Sequence, residues 1–88
     1  MENAVEDVRE TMLALLGDAG PRKYAALTRR LRYAADIQAL WYLRGDLMGA
    51  LAAMNGERVA REQVASVTQM FKGVLPGSLN SRPSPLVG

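Results

Sequence analysis

The chain contains no cysteine and no histidine. The first absence excludes disulfide stapling and thiolate chemistry, and the second removes the commonest general base and the commonest metal ligand. Aromatic residues are scarce, with one Trp, one Phe and three Tyr in 88 residues. β-Branched residues are also few, so little in the composition favours strands. No uncharged apolar run approaches the roughly 18 residues of a spanning helix, because Asp36, Arg44 and Asp46 interrupt the richest stretch. Glu2, Glu6, Asp7 and Glu10 precede any apolar run, the reverse of the basic start of a secretory signal. Gly-rich phosphate loops and nucleophile elbows are missing as well. These absences point away from an enzyme, a metal or cofactor site and a membrane protein, and toward a non-catalytic chain in the cytoplasm.

What is present favours helices. Ala, Leu, Met, Arg and Glu dominate, and all are good helix formers. A chain of this length has room for one domain, which hides only about 60% of the surface of its unfolded chain. Arginine far outnumbers lysine, a bias associated with GC-rich genomes, and a bacterial source is the expectation. The charge is laid out unevenly. Met1 to Gly20 holds five acids and one base, whereas Pro21 to Arg44 holds six bases and one acid.

Placed on a helical wheel at about 100° per residue, the apolar positions define four segments. The first, Glu2 to Leu16, gathers Val5, Val8, Met12, Leu13, Leu15 and Leu16 on one side, with its acids early, where the helix dipole favours them. Gly17, Gly20 and Pro21 end it, and Pro21 can open the next helix because a first-turn residue has no intrahelical N–H bond to lose. The second segment, Arg22 to about Tyr33, has a narrow stripe of Tyr24, Leu27 and Leu31 and is basic elsewhere. The third, Asp36 to Met54, is apolar over roughly 200° of the wheel and needs cover on more than one side. Were the second and third continuous, their apolar centres would point roughly 170° apart, so a break at Tyr33 to Asp36 is expected, with Asp36 as the N-cap. Asn55-Gly56 is a stop. A fourth helix, Glu57 to Val74, then carries a continuous apolar arc.

The fold expected is therefore all-α: a small antiparallel bundle of four short helices over residues 1–75, the third helix central and the fourth across it. A flexible Pro/Ser-containing tail follows over 76–88. Pro83 and Pro85 in that tail favour an extended backbone of the kind that grooves read, although most such ends are simply unordered.

Several features bear on function. Arg22, Lys23, Arg29, Arg30, Arg32 and Tyr33 make a surface for an anionic partner, since arginines around an aromatic ring can hold phosphates while the ring stacks on a base. The plainer and favoured reading is a solvated helix face whose charges pair with the acidic first helix, in the same molecule or a second copy. A helix-turn-helix made of the second and third segments fits poorly, because the third is wrapped in leucines where base-reading side chains are needed. Arg44 falls near the middle of an apolar arc, where a charge must be paired, reach solvent or serve a ligand. The favoured reading is a packed stem with its head in solvent or on a Glu of the first helix. Trp41 is expected in the core. Tyr42, on the polar side with Gly45 and Gly49 nearby, is the better interface candidate, the two glycines leaving a strip where another helix can approach.

From this the expected function is a non-catalytic protein–protein interaction module, such as an adaptor, small chaperone or regulatory subunit, that self-associates as a homodimer. The alternative is a nucleic-acid-associated protein that binds through its basic second helix.

Overall fold

The computed structural model describes residues 4–72 and 74. The described chain is all-α, with no strand among these residues. The six helices are α1 (Ala4–Leu16), α2 (Ala19–Lys23), α3 (Ala25–Tyr33), α4 (Ile37–Tyr42), α5 (Arg44–Asn55) and α6 (Glu57–Phe71). The expected tail over 76–88, and the expected helix start at Glu2, lie outside the described residues.

α1 buries Val8, Met12 and Leu16, spaced four apart on one face, and carries Glu6 and Asp7 in its first turn. Gly17, with φ of 56°, turns the chain out of it. The expected second helix is split. Pro21 lies within the short α2, and Tyr24 (φ −126°, ψ 46°) leaves the helical region before α3 begins. This bend brings α2 down on α3. A Cβ on Gly20 would stand 2.8 Å from Thr28 Oγ1 and 3.3 Å from Leu16 Cβ, so glycine permits the approach. Thr28 Oγ1 is buried there with no hydrogen-bond partner among the described residues.

The break expected between the second and third segments is present. Ala34 has ψ of 127°, and Asp36 is extended and accepts a 3.0 Å hydrogen bond from Ala39 N through Oδ1. The third segment is not one helix, however. It divides at Leu43 (φ −83°, ψ −5°) into α4 and α5. The division answers the packing problem posed by its wide apolar arc, because two short rods can turn their leucines toward different neighbours. α4 faces α1, while α5 packs on α6 and α1. Gly56 (φ 92°) separates α5 from α6, as the Asn55-Gly56 pair predicts. α6 ends at Phe71 instead of the expected Val74, since Lys72 is extended (ψ 131°).

The core joins Val8, Met12, Leu16, Leu31, Leu40, Leu47, Leu51, Val67 and Phe71, all nearly or wholly buried. α5 and α6 make the most extensive pairing, and α1 packs against all five other helices. Among the described residues the only large hydrophobics left exposed are Tyr33, Tyr42 and Val59. Within the wide apolar arc of α4 and α5, Ile37, Leu40, Leu47 and Leu51 are buried while Trp41, Leu43, Met48 and Met54 are half-buried, and the two exposed tyrosines lie beside the cations of α2 and α3.

Candidate functional site

The cations separate into two groups. Arg9, the single base of α1, is tied down on every side. Its Nε and Nη2 donate to Glu6 at 3.0 and 2.9 Å. Its Nη1 donates to the carbonyls of Leu31, Arg32 and Ala34 at 2.8, 2.9 and 3.1 Å. A guanidinium on α1 therefore caps the C-terminal end of α3, where unsatisfied carbonyls and the negative pole of the helix dipole both favour a cation. Arg9 was not expected as a key residue. Its signal was available, since it is the lone base of an acidic helix and follows Glu6 by three residues, beside the Val8–Met12 stripe.

Arg44 is likewise engaged within the chain. Its guanidinium carbon lies 3.5 Å from the centroid of the Trp41 ring, and Trp41 in turn meets Phe71 edge-on, with centroids 5.2 Å apart. Nε donates to the Trp41 carbonyl at 3.2 Å, and Nη1 donates to Thr68 Oγ1 at 2.9 Å. Partial burial draws its pKa below the usual guanidinium value through desolvation. The packed stem was expected. The head, however, rests on Trp41 and Thr68 and not on a Glu of the first helix, because the division at Leu43 sets Arg44 over the ring one turn before it. Trp41 is half-buried beneath it.

The cations of α2 and α3 differ. The side chains of Arg22, Lys23, Arg29 and Arg32 are exposed and make no hydrogen bond or ion pair among the described residues. Arg30 has a single loose partner, Asp46 Oδ2 at 3.6 Å, with both side chains more than half exposed, a pair that contributes little in water. Of the acids expected to pair with these cations, Asp7 and Glu10 of α1 and Asp18 beyond it are exposed and make no ion pair to α3 among the described residues. The reason is geometric, since α1 meets α3 through its apolar stripe and Arg9, which Glu6 holds, while Asp7 and Glu10 face solvent.

These open cations border a connected series of shallow depressions. The first, of about 490 Å³, lies between α3 and α4 and is lined by Arg29, Arg30, Tyr33, Ala34, Ala39, Tyr42 and Leu43. Arg30 is shared with a second, of about 470 Å³, which runs between α3 and α5 past Lys23, Tyr24, Gly45, Asp46 and Gly49. Lys23 and Tyr24 continue into a third beside Arg22, while Arg29 and Tyr33 border a fourth with Pro21, Thr28 and Arg32. All three tyrosines of the chain and five of its cations line this track, against one acid, Asp46.

Two surfaces that the sequence suggested separately therefore form one face. Tyr42, Gly45 and Gly49 join the basic residues of α2 and α3, and a Cβ on either glycine would meet nothing within 4 Å. Arg44 belongs with neither and lines none of these depressions. Among the described residues no helix is long and apolar enough to cross a membrane, and no group of three or more His, Cys, Asp or Glu residues could hold a metal ion. Comparison with protein-family models, curated proteins and solved structures returns no match to this chain.

Proposed function

We propose that the chain is a non-catalytic helical interaction module whose working face is the cationic, tyrosine-lined side of α2, α3, α4 and α5. In this reading the six helices act as four rods of a small antiparallel bundle, with α2–α3 and α4–α5 each serving as one. The observation that carries the proposal is the connected track, on which unpaired cations stand beside exposed rings while the aliphatic side chains are buried beneath. Cations gathered on one face raise the local concentration of a polyanion. Exposed Tyr and Arg are also the side chains that contribute most when surfaces dock.

The test is retention on a sulfated polyanion such as heparin. The protein is expected to bind at about 50 mM salt and to elute as salt rises. Arg29→Ala/Arg30→Ala should elute markedly earlier. Arg58→Ala/Arg61→Ala, which removes the same charge from α6, should elute close to the parent protein. Flow-through of the parent at low salt, or an equal shift for both variants, would overturn the proposal.

A protein partner, most simply a second copy, is the second reading. It is favoured by the exposed acids Asp7, Glu10 and Asp18, which no cation among the described residues pairs. On this reading light scattering should give a dimer that dissociates with salt, and a monomer at high micromolar concentration would remove it.

A further inference from the structure

We infer that the partner drawn to this face is a single-stranded nucleic acid, its phosphates held along α2 and α3 and its bases stacked on Tyr33 and Tyr42. The inference rests on the polyanion reading above and adds the identity of the polymer.

Three observations favour a strand over other anions. First, the cations are distributed. Lys23, Arg29, Arg30 and Arg32 occur singly or in pairs along linked depressions, a spacing suited to a repeating charge. A compact anion would call for converging donors.

Second, the exposed apolar groups are flat. Tyr33 is 78% and Tyr42 68% exposed, and the groove they share with Arg29 and Arg30 has only Ala34, Ala39 and Leu43 as its other lining. Every nucleobase has a π-face, so such rings accept bases without regard to sequence. A docking amphipathic helix would need exposed aliphatic anchors to meet it, and no Leu, Ile, Met or Phe of this face is exposed, so the rings are its main apolar contacts.

Third, the rings and cations lie in concavities and not on a projecting element. A duplex is read by a helix or ribbon that enters its groove. Here the protein offers the groove, and a polymer able to splay its bases out can fill it.

The full chain is titrated into labelled oligonucleotides of about twelve nucleotides, as DNA, RNA and the matched duplex, and followed by fluorescence anisotropy. Binding to the single strands is expected to exceed binding to the duplex, and comparison of the DNA and RNA arms shows whether the 2′-hydroxyl contributes. The slope of log K against log salt should be about −0.7 per phosphate engaged, and Arg29→Ala/Arg30→Ala should flatten it by about 1.4. Tyr33→Leu and Tyr42→Leu should each weaken the strand about tenfold while leaving heparin retention unchanged, and Tyr33→Phe should bind like the parent. Both rings are exposed, so neither substitution disturbs the core.

Retention on heparin combined with equal affinity for single strand, duplex and polyglutamate, or with no effect of the tyrosine substitutions, would overturn the strand and leave the polyanion reading standing. Loss of heparin retention by the parent would overturn both.

Discussion

Arg9 of α1 and Arg44 of α5 are committed to the fold: Arg9 closes the end of α3 through three carbonyls, and Arg44 lies on Trp41 with Thr68 as its acceptor. Along α2 and α3 the same residue type projects outward with no partner but the loose Arg30–Asp46 contact. The difference follows from what each guanidinium can reach. Arg9 and Arg44 stand where a helix ends or changes course, so carbonyls released from the helical ladder lie within reach, and the charge satisfies backbone that water would otherwise have to solvate. Arg30 and Arg32 of α3 also stand in a last turn, but the carbonyls released there are already taken by Arg9. Which guanidinium the packing lays against free acceptors, more than composition, separates the structural cations from those left for a partner.

The sharpest way to break this comparison is to remove Arg9. Arg9→Ala leaves three carbonyls at the end of α3 to water and removes the arginine from Glu6, and charge-assisted hydrogen bonds contribute about 1.5–3 kcal/mol each where they are partly buried. A loss of about 2–3 kcal/mol is expected in urea unfolding, a large fraction of the stability of a domain this small. Arg9→Lys should recover only part of it, because a compact ammonium cannot reach Glu6 and the carbonyls together. A loss below about 0.5 kcal/mol would place Arg9 with ordinary surface residues and dissolve the distinction drawn above.

The legibility of these features in the sequence follows the range of the interactions behind them. The break at Tyr33 to Asp36 was readable because two apolar stripes that disagree in direction cannot share a core, and Asp36 supplies a cap that acts within three residues. Gly56 was readable for the same local reason. The division at Leu43 was not, since no Gly or Pro marks it and its cause is tertiary: α1 and α6 claim different faces of one leucine-rich stretch. The early end of α6 at Phe71 is likewise unmarked by any nearer breaker than Gly73. As for the site, exposure of Tyr33 and Tyr42 was evident from the wheel, whereas their meeting in one groove depends on the angle between α3 and α4. Arg9 was overlooked because its acceptors are backbone atoms 22 to 25 residues away, which no side-chain pattern records.

Arg44 tests the comparison at a smaller scale. Arg44→Leu removes the cation over Trp41 and the bond to Thr68, while keeping apolar bulk against the ring. The cation–π contact contributes about 0.5–1 kcal/mol at a partly exposed site, and the leucine recovers some of that by burial. A net loss of about 1 kcal/mol is expected, with unchanged retention on heparin because Arg44 lies off the track. Reduced retention equal to that of Arg29→Ala/Arg30→Ala would instead move Arg44 into the binding face.

The smallest effect on the fold is expected where the effect on binding is greatest. Arg29→Ala/Arg30→Ala deletes two exposed side chains that cap no helix and cover no large aliphatic residue, and gives up only the weak contact to Asp46. Alanine is also the best helix former, and thinning a run of like charges relieves self-repulsion along α3. Stability should therefore stay within about 0.5 kcal/mol of the parent, or rise slightly in low salt and return to the parent value as added ions screen the remaining cations. A loss of more than about 1 kcal/mol would mean that these arginines support the fold as Arg9 does, and the division between structural and available cations would have to be redrawn at α3.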